Sequence, residues 1–169
     1  MFRMSIERAD ISDLEKIFAI YQRCKSKLDA EGIRQWYEQY PNPTVLQEDI
    51  HSGELFKYVF DNKIVAAVVL TEKQEKEYET VKWQEVRKKV LVVKRLAVDP
   101  NFQGRGIAGE LMVFAENFAV KNGYASIRLD AYSGNKVVLD FYKNRGYQEA
   151  GEVFFPGRNL PFKCFEKKL

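Results

Sequence analysis

The stretch of sequence that decides the fold runs from residue 94 to residue 108 and reads KRLAVDPNFQGRGIA. A strand ends in its first half, Pro100 turns the chain, and Gly104 and Gly106 open a helix. Glycine lets a bulky group approach the backbone closely, and a helix N-terminus carries unpaired N–H groups and partial positive charge. Two glycines, a Gln and an Arg exceed what a tight turn needs. The stretch therefore predicts a backbone site for an anion such as a pyrophosphate.

The flanking sequence predicts an α/β fold. In chain order, the hydrophobic periodicity predicts a strand at 3–7, helices at 12–31 and 44–51, strands at 55–60, 64–70 and 89–98, a helix at 104–121, a strand at 125–131, a helix at 135–145, and strands at 147–155 and 162–168. The charged segment Thr71–Glu79 is predicted to be a solvated loop. This order indicates a mixed, mostly antiparallel central sheet with helices on both faces.

The composition is that of an ordinary globular chain, and it argues against several chemistries. The 169 residues fit one domain spanning 1–169, and 46% of them are hydrophobic. Cys24 and Cys164 lack a CxxC spacing and His51 is the single histidine, so we expect no metal site. A net charge of +3 is too mild for a dedicated nucleic-acid binder. We expect a cytoplasmic protein without a membrane partner, and a homodimer is left open.

A dinucleotide-binding fingerprint also fits the glycine loop. Residues 104–109 spell GxGxxG, and Asp130 ends the next strand near the spacing of a ribose-binding acid. In that fold the glycines lie at the exit of the strand, whereas here residues 99–103 intervene. Only one further strand–helix unit follows, which is too little for a nucleotide-binding half and a substrate site. An oxidoreductase is therefore the weaker hypothesis.

The chain resembles the GNAT superfamily of N-acetyltransferases over nearly its whole length. Residues 103–108, QGRGIA, match that family's motif A, and residues 95–100, RLAVDP, look like its fourth strand and exit. Asn135, Tyr142 and the Gly146-Tyr147 pair look like its motif B. Both motifs in register make the resemblance specific. Residues 35–36, 40–41, 49–50, 127–130 and 164–169 are similar to a bacterial subgroup of the family.

The resemblance implies an enzyme that binds acetyl-CoA and transfers its acetyl group to an amine. Tyr142 would then protonate the departing thiolate, and Asn135 would hydrogen-bond the pantetheine arm. Backbone groups near the end of the fourth strand would hold the pantetheine and the thioester carbonyl, and the glycine loop would hold the pyrophosphate. The cofactor-binding residues implied in these two segments are Leu96, Ala97, Val98, Gln103, Gly104, Arg105, Gly106, Ile107 and Ala108.

The general base is not evident from the motifs. Some members of the family carry a glutamate on the fourth strand, where this chain has Val92. An amine with a pKa near 10.4 must nevertheless lose a proton before it attacks. Water, Asp130 or a residue outside the motifs remains open for that role. Without the glutamate, a non-catalytic acetyl-CoA sensor stays an alternative, although Tyr142 argues against it.

Several further residues have two interpretations. Trp36, Tyr40 and Trp83 are candidates for the substrate pocket, and each could instead be a packing residue. Asp130 has either a substrate-binding or a structural role. Lys94 and Arg95, with the basic run at 87–89, are predicted to form a solvated strand face or to assist binding of the CoA phosphates.

Overall fold

The structure, a computed structural model, describes residues 2–37 and 40–169. In these residues a seven-stranded sheet has the order β1-β2-β3-β4-β5-β7-β6. Every neighbouring pair is antiparallel except β4 and β5, which are parallel. The strands are β1 (Met4–Arg8), β2 (Leu55–Phe60), β3 (Lys63–Thr71), β4 (Val90–Val98), β5 (Ser126–Tyr132), β6 (Gln148–Val153) and β7 (Phe162–Lys168). The predicted fold class, mixed and mostly antiparallel, is confirmed.

In the described part of the chain, four α-helices cover the two faces of this sheet. They are α1 (Leu14–Ala30), α2 (Pro43–His51), α3 (Ile107–Lys121) and α4 (Lys136–Asn144). Apolar residues of α1 and α2 pack with Ala67 and Val69 of β3, whereas those of α3 pack with Val68 and Leu70. Alternate side chains of one strand point to opposite faces, so the two helix pairs bury opposite sides of the sheet. None of the helices within the described parts of the chain is both long and apolar enough to cross a membrane.

The segment after β3 differs from its prediction as a solvated loop. It contains a short 3-10 helix, Lys76–Thr80, in which Tyr78 is only 2% exposed. Tyr78 packs against Trp83 at 5.0 Å between ring centroids and joins a cluster with Val92 and Cys164. The prediction is wrong because one aromatic side chain among many charged ones anchors the segment to the sheet. The segment thereby covers the sheet beside β4 and β5.

Candidate active site between the diverging strands

A deep cavity opens where β4 and β5 part. The two strands are paired only between Val90–Val92 and Ser126–Arg128. Beyond those residues they diverge, and a cavity of about 810 Å³ lies between them. Residues 93–98 of β4 form one wall, and residues 130–132 of β5 form the other. Backbone groups on these facing edges lack a partner strand, so a ligand in the slot can bind them.

β4 bulges at the point where the strands diverge. Its register with β3 shifts between the partners of Ala67 and Val69, and Arg95 has a φ of 53°. A positive φ is uncommon for residues other than glycine, and such strained conformations cluster at functional sites. A bulge bends its strand and redirects the groups beside it. The predicted backbone contacts of Leu96 and Val98 therefore lie next to the deformed part of β4.

The side chain of Arg95 is buried beside this bulge. Its Nε and Nη2 atoms donate to the two oxygens of Asp49 at 2.9 and 2.8 Å, and Nη1 donates to the Tyr40 hydroxyl at 2.5 Å. The Tyr21 hydroxyl donates to the Arg95 carbonyl at 2.5 Å. Burial opposes the charge of Arg95, but Tyr40 and Asp49 outweigh it and raise its pKa. The guanidinium thus stays charged and ties the bulge to α2.

Lys94 is also neutralised within the protein. Its Nζ atom lies 2.7 Å from the Glu75 carboxylate, and its side chain is 14% exposed. The prediction of a solvated face is therefore wrong for Lys94 and Arg95, whose charges are paired with Glu75 and Asp49. Assistance to phosphate binding stays a prediction. The sequence shows the two positive charges, but their carboxylate partners come from distant segments.

The loop before α3 has the conformation of an anion site. Gly104 and Gly106 have φ values of 78° and 82°, which favour glycine, and they delay the start of α3 until Ile107. Gly106 is the N-cap, and no side chain caps the helix. The N–H groups of the first turn are therefore directed outward without a capping partner. Because Gly104 and Ala108 line the cavity, these donors lie at its edge.

The other predicted loop residues contribute in different ways. Gln103 lines the cavity, donates from Nε2 to the Val98 carbonyl at 2.9 Å, and accepts from Lys27 at 2.5 Å. Ile107 is buried in the core, so only its backbone could face a ligand. Arg105 lies outside the cavity wall, with its guanidinium 4.9 Å from the Phe102 ring centroid. Lys27 was not predicted, since nothing local links it to a loop 76 positions away.

Asn135 caps α4 at the opposite wall. Its side-chain oxygen accepts from the Val138 N–H at 3.3 Å, and its Nδ2 donates to Gln35 at 3.0 Å. Asn135 is buried and lines the cavity, as a pantetheine contact requires. The carboxamide retains a second N–H for a ligand.

Tyr142 reaches the cavity from the last turn of α4. The residue is 5% exposed and its ring packs against Phe141, Tyr147 and Phe165. Its hydroxyl has no hydrogen-bond partner among the described residues, and Tyr142 lines the cavity. Burial, followed by the charge of Asp130, raises its pKa. The phenol therefore keeps its proton at neutral pH, which a proton donor needs.

Asp130 lies in the facing wall on β5. Its Oδ2 atom accepts a hydrogen bond from the Tyr78 hydroxyl at 2.5 Å. Burial raises its pKa to about 6, although the bond from Tyr78 opposes that rise. Strongly perturbed carboxyl groups in a cavity are typical of functional sites. Asp130 was a candidate from its place at the end of a strand, whereas Tyr78 lies in the segment predicted to be solvated and was not predicted.

The aromatic candidates separate into two groups. Trp36 and Tyr40 line the cavity, and Tyr40 also holds Arg95. Trp83 lies outside the cavity wall, where its indole N–H donates to the Tyr78 carbonyl at 3.0 Å and Arg128 stacks on its ring. The structure thus places Trp83 as an anchor of the segment after β3. Glu77 and Arg158 also line the cavity, and the sequence held no motif around either.

The two ends of the cavity differ in chemistry. At one end lie the uncapped N-terminus of α3, the glycine loop and Lys27, which suit phosphates. The other end carries Asp130, Glu75 and several aromatic rings, and its basic groups Lys94 and Arg158 are held by other partners, so this region suits an added cation. An elongated anionic ligand such as acetyl-CoA fits the first end and the slot between the strands. No group of three or more His, Cys, Asp or Glu side chains suited to a metal occurs in residues 2–37 and 40–169.

A strand pair that parts above an uncapped helix N-terminus defines the class of α/β protein to which this chain belongs, and its cavity suits an elongated anionic ligand. The whole chain has the fold of an acetyltransferase of the GNAT family from Streptococcus agalactiae, with a TM-score of 0.83, 21% identity, and coverage of 98% of this chain and 95% of that one. A protein from Salmonella typhimurium, whose structure contains its cofactor acetyl-CoA, has a TM-score of 0.72 and 15% identity, with 99% and 94% coverage.

The sequence itself matches the Acetyltransferase (GNAT) family over residues 14–147, and the chain belongs to that family. It is 35% identical over 63 residues to an uncharacterized N-acetyltransferase of Methanocaldococcus jannaschii, a match that covers 37% of this chain. The matches cover 28% of the length of that relative and 43% of another curated relative, well under two thirds of each. The resemblance drawn from motifs A and B is confirmed.

Proposed function

We propose that this protein is an N-acetyltransferase that moves an acetyl group from acetyl-CoA to a primary amine of a small molecule or peptide. One observation carries the proposal: a single cavity is lined both by the glycine loop before α3 and by Asp130, Tyr142 and several aromatic rings. A donor and an acceptor can therefore be bound at once and meet near Tyr142 and Asp130. Holding two reactants in one site removes much of the entropic barrier to their reaction.

The residues that would hold acetyl-CoA follow from the cavity walls. The glycine loop, residues 103–108, would bind the pyrophosphate, and the edge of β4 at Leu96, Ala97 and Val98 would bind the pantetheine arm beside Asn135. Bound there, acetyl-CoA supplies an activated acyl group as a thioester. Backbone N–H groups at the divergent part of β4 would stabilise negative charge that develops on the carbonyl oxygen.

The cysteines support direct transfer rather than a covalent acetyl-enzyme. Cys24 is the cysteine that lines the cavity, and its Sγ donates to the Val98 carbonyl at 3.1 Å. Burial raises the pKa of Cys24, and likewise that of Cys164, to about 12. A thiol nucleophile reacts as the thiolate, so neither group is activated at neutral pH. The amine itself is therefore the nucleophile in this proposal, and Tyr142 donates a proton to the departing sulfur.

Thiol release with a panel of primary amines tests the proposed function. The panel contains amino acids, polyamines, aralkylamines and lysine-containing peptides, each incubated with the protein and acetyl-CoA. We expect amine-dependent thiol release by at least one class, and calorimetric binding of acetyl-CoA but not of NAD. Acetyl-CoA binding with no thiol release in the presence of any amine of the panel would instead indicate the non-catalytic sensor.

Activity should survive thorough chelation, because the chemistry proposed here uses a phenol, a carboxylate and backbone donors.

A negative charge placed at the N-terminus of α3 tests whether the glycine loop binds the pyrophosphate. We expect Ala108→Asp to weaken acetyl-CoA binding about tenfold or more, because its carboxylate repels the pyrophosphate. Ala108→Asn has nearly the same size and no charge, so it should bind within a few-fold of wild type. Acidic residues favour a helix N-terminus, so the Asp variant should stay folded. Equal affinities in calorimetry for the Asp and Asn variants would place the pyrophosphate elsewhere.

A further inference from the structure

A carboxylate on β5 faces the same side of the sheet as Val92. Val92 of β4 is paired with Arg128 of β5, and Asp130 follows Arg128 by two residues. Because side chains of a strand alternate, Asp130 points to the same face as Arg128, one step beyond the last paired residue. Tyr78 packs in one cluster with Val92, and its hydroxyl donates a hydrogen bond to Asp130. The carboxylate therefore lies where the strands open into the cavity.

We propose that Asp130 is the group that takes the proton from the acceptor amine, and that Tyr78 is the positioning residue that orients its carboxylate. This inference rests on the proposed function. The Tyr78 hydroxyl engages Oδ2 at 2.5 Å, whereas Oδ1 accepts no hydrogen bond within the described parts of the chain. One oxygen is thus held in place and the other can accept a proton from a ligand.

The charged and titratable groups around Asp130 come from six segments of the chain, and apart from the hydrogen bond from Tyr78 none of those described pairs with its carboxylate. Lys94 is already bound to Glu75, and Arg158 donates to the carbonyls of Gln35 and Pro156. Among the described residues, the groups that face or influence Asp130 are Tyr40, Glu75, Tyr78, Lys94, Tyr142, Arg158 and Cys164. No described cation lies within salt-bridge distance of its carboxylate, which leaves that place for an ammonium group.

The ionisation of Asp130 suits a proton acceptor. Its pKa of about 6 leaves it mostly ionised at neutral pH and far more basic than an ordinary aspartate. The negative charge also contributes to the raised pKa of Tyr142 across the cavity. When Asp130 takes a proton, that charge disappears and the pKa of Tyr142 falls. Proton uptake on one wall thereby prepares the phenol on the other wall to donate.

The proton transfers balance over one turnover. The ammonium gives one proton to Asp130, and its nitrogen forms the C–N bond as the C–S bond breaks with its electron pair on sulfur. Tyr142 protonates that sulfur, and the second surplus proton on nitrogen returns to the Tyr142 phenolate. Asp130 then releases its proton to solvent. The products are an amide, a thiol and one proton.

The pH dependence of kcat/KM tests the proposal, measured with the panel amine that gives the highest turnover. We expect an acidic limb near pH 6 in the wild type. Asp130→Asn should lose that limb and about 10²–10⁴-fold in rate. A hydrazide analogue of the same amine is already neutral at neutral pH and has no proton to give up. With the hydrazide as acceptor, the rate of Asp130→Asn should therefore fall far less. Asp140→Asn, on the exposed side of α4, is the matched control and should behave as wild type.

Two further readouts distinguish catalysis from structure. Tyr78→Phe removes a hydrogen bond that lowers the pKa of Asp130, so the acidic limb should move to higher pH. Asp130→Asn should unfold at a higher temperature than wild type at neutral pH. The raised pKa means that the native state binds the proton more tightly, so wild-type stability falls as the pH rises from about 4 to about 6. A structural Asp130 would instead make the Asn variant less stable.

The outcomes separate this proposal from the proposed function. Thiol release by wild type, with an unchanged limb and rate in Asp130→Asn, would overturn the role of Asp130 alone. An Asn variant that loses activity equally toward the amine and its hydrazide, and also unfolds at a lower temperature, would overturn it too. Absence of thiol release from wild type with every amine would remove the proposed function and this inference together.

Discussion

Tyr142→Phe should lower turnover by about 10²–10⁴-fold while acetyl-CoA affinity stays within a few-fold of wild type. The substitution removes one oxygen and keeps the ring, which packs against Phe141, Tyr147 and Phe165. The hydroxyl has no hydrogen-bond partner among the described residues, so its loss leaves no buried polar group unpaired. The variant should therefore fold as wild type and lose only the proton donor.

Tyr147 provides the matched control for this prediction. Its ring lies 5.8 Å from that of Tyr142, and its hydroxyl donates to Glu116 at 3.1 Å, away from the cavity wall. Tyr147→Phe should therefore leave turnover unchanged. Steady-state kinetics and calorimetry on both variants make the comparison. Turnover within a few-fold of wild type in a folded Tyr142→Phe protein would assign Tyr142 a packing role.

Asp49→Asn should lower the free energy of unfolding by about 3–5 kcal/mol. Asp49 is 7% exposed and binds the Arg95 guanidinium through both carboxylate oxygens, so its replacement leaves a buried positive charge without a counter-charge. Burial raises the pKa of Asp49, and the guanidinium opposes that rise. Because Arg95 is the bulge residue with a φ of 53°, acetyl-CoA binding should weaken as well.

Denaturant unfolding of three variants checks the cost of breaking this pair. Asp140→Asn removes an exposed carboxylate from its pair with Lys136, so its unfolding midpoint should equal that of wild type. The double variant Asp49→Leu with Arg95→Met removes both charges and should recover much of the loss, since apolar residues can replace a buried ion pair. A loss below about 1 kcal/mol in Asp49→Asn would show that water reaches the guanidinium and that the pair does not hold the bulge.

The fold class and the phosphate end of the site followed from local signals. The alternation of apolar residues marks a strand wherever it forms, and predicted strands 55–60 and 162–168 coincide with β2 and β7. Glycines that require positive φ, at 104 and 106, likewise act through their own backbone. Both features need no knowledge of the rest of the chain, so one sequence sufficed to predict them.

The acceptor end of the site depended on contacts between distant segments. Tyr78 and Asp130 are 52 positions apart, and Arg95 and Asp49 are 46 apart. At the phosphate end, the contact of Lys27 with Gln103, 76 positions away, was likewise not predicted. Charge patterning shows that a residue is ionised but not which partner the fold brings to it. The error at Lys94 and Arg95 arose in this way, because their carboxylates come from a loop and from α2.

By itself, the sequence determined the order of strands and helices, the uncapped start of α3 and the family, because periodicity, glycine conformation and motif spacing are local properties. Only the tertiary structure decided that β4 and β5 part after three paired residues on each strand, that Tyr78 binds Asp130, and that Asp130 and Tyr142 line one cavity. The physical reason is that burial is the largest cause of the raised pKa values of Tyr78, Asp130 and Tyr142. Burial depends on how α4, the segment after β3 and the sheet pack together, which no local pattern encodes.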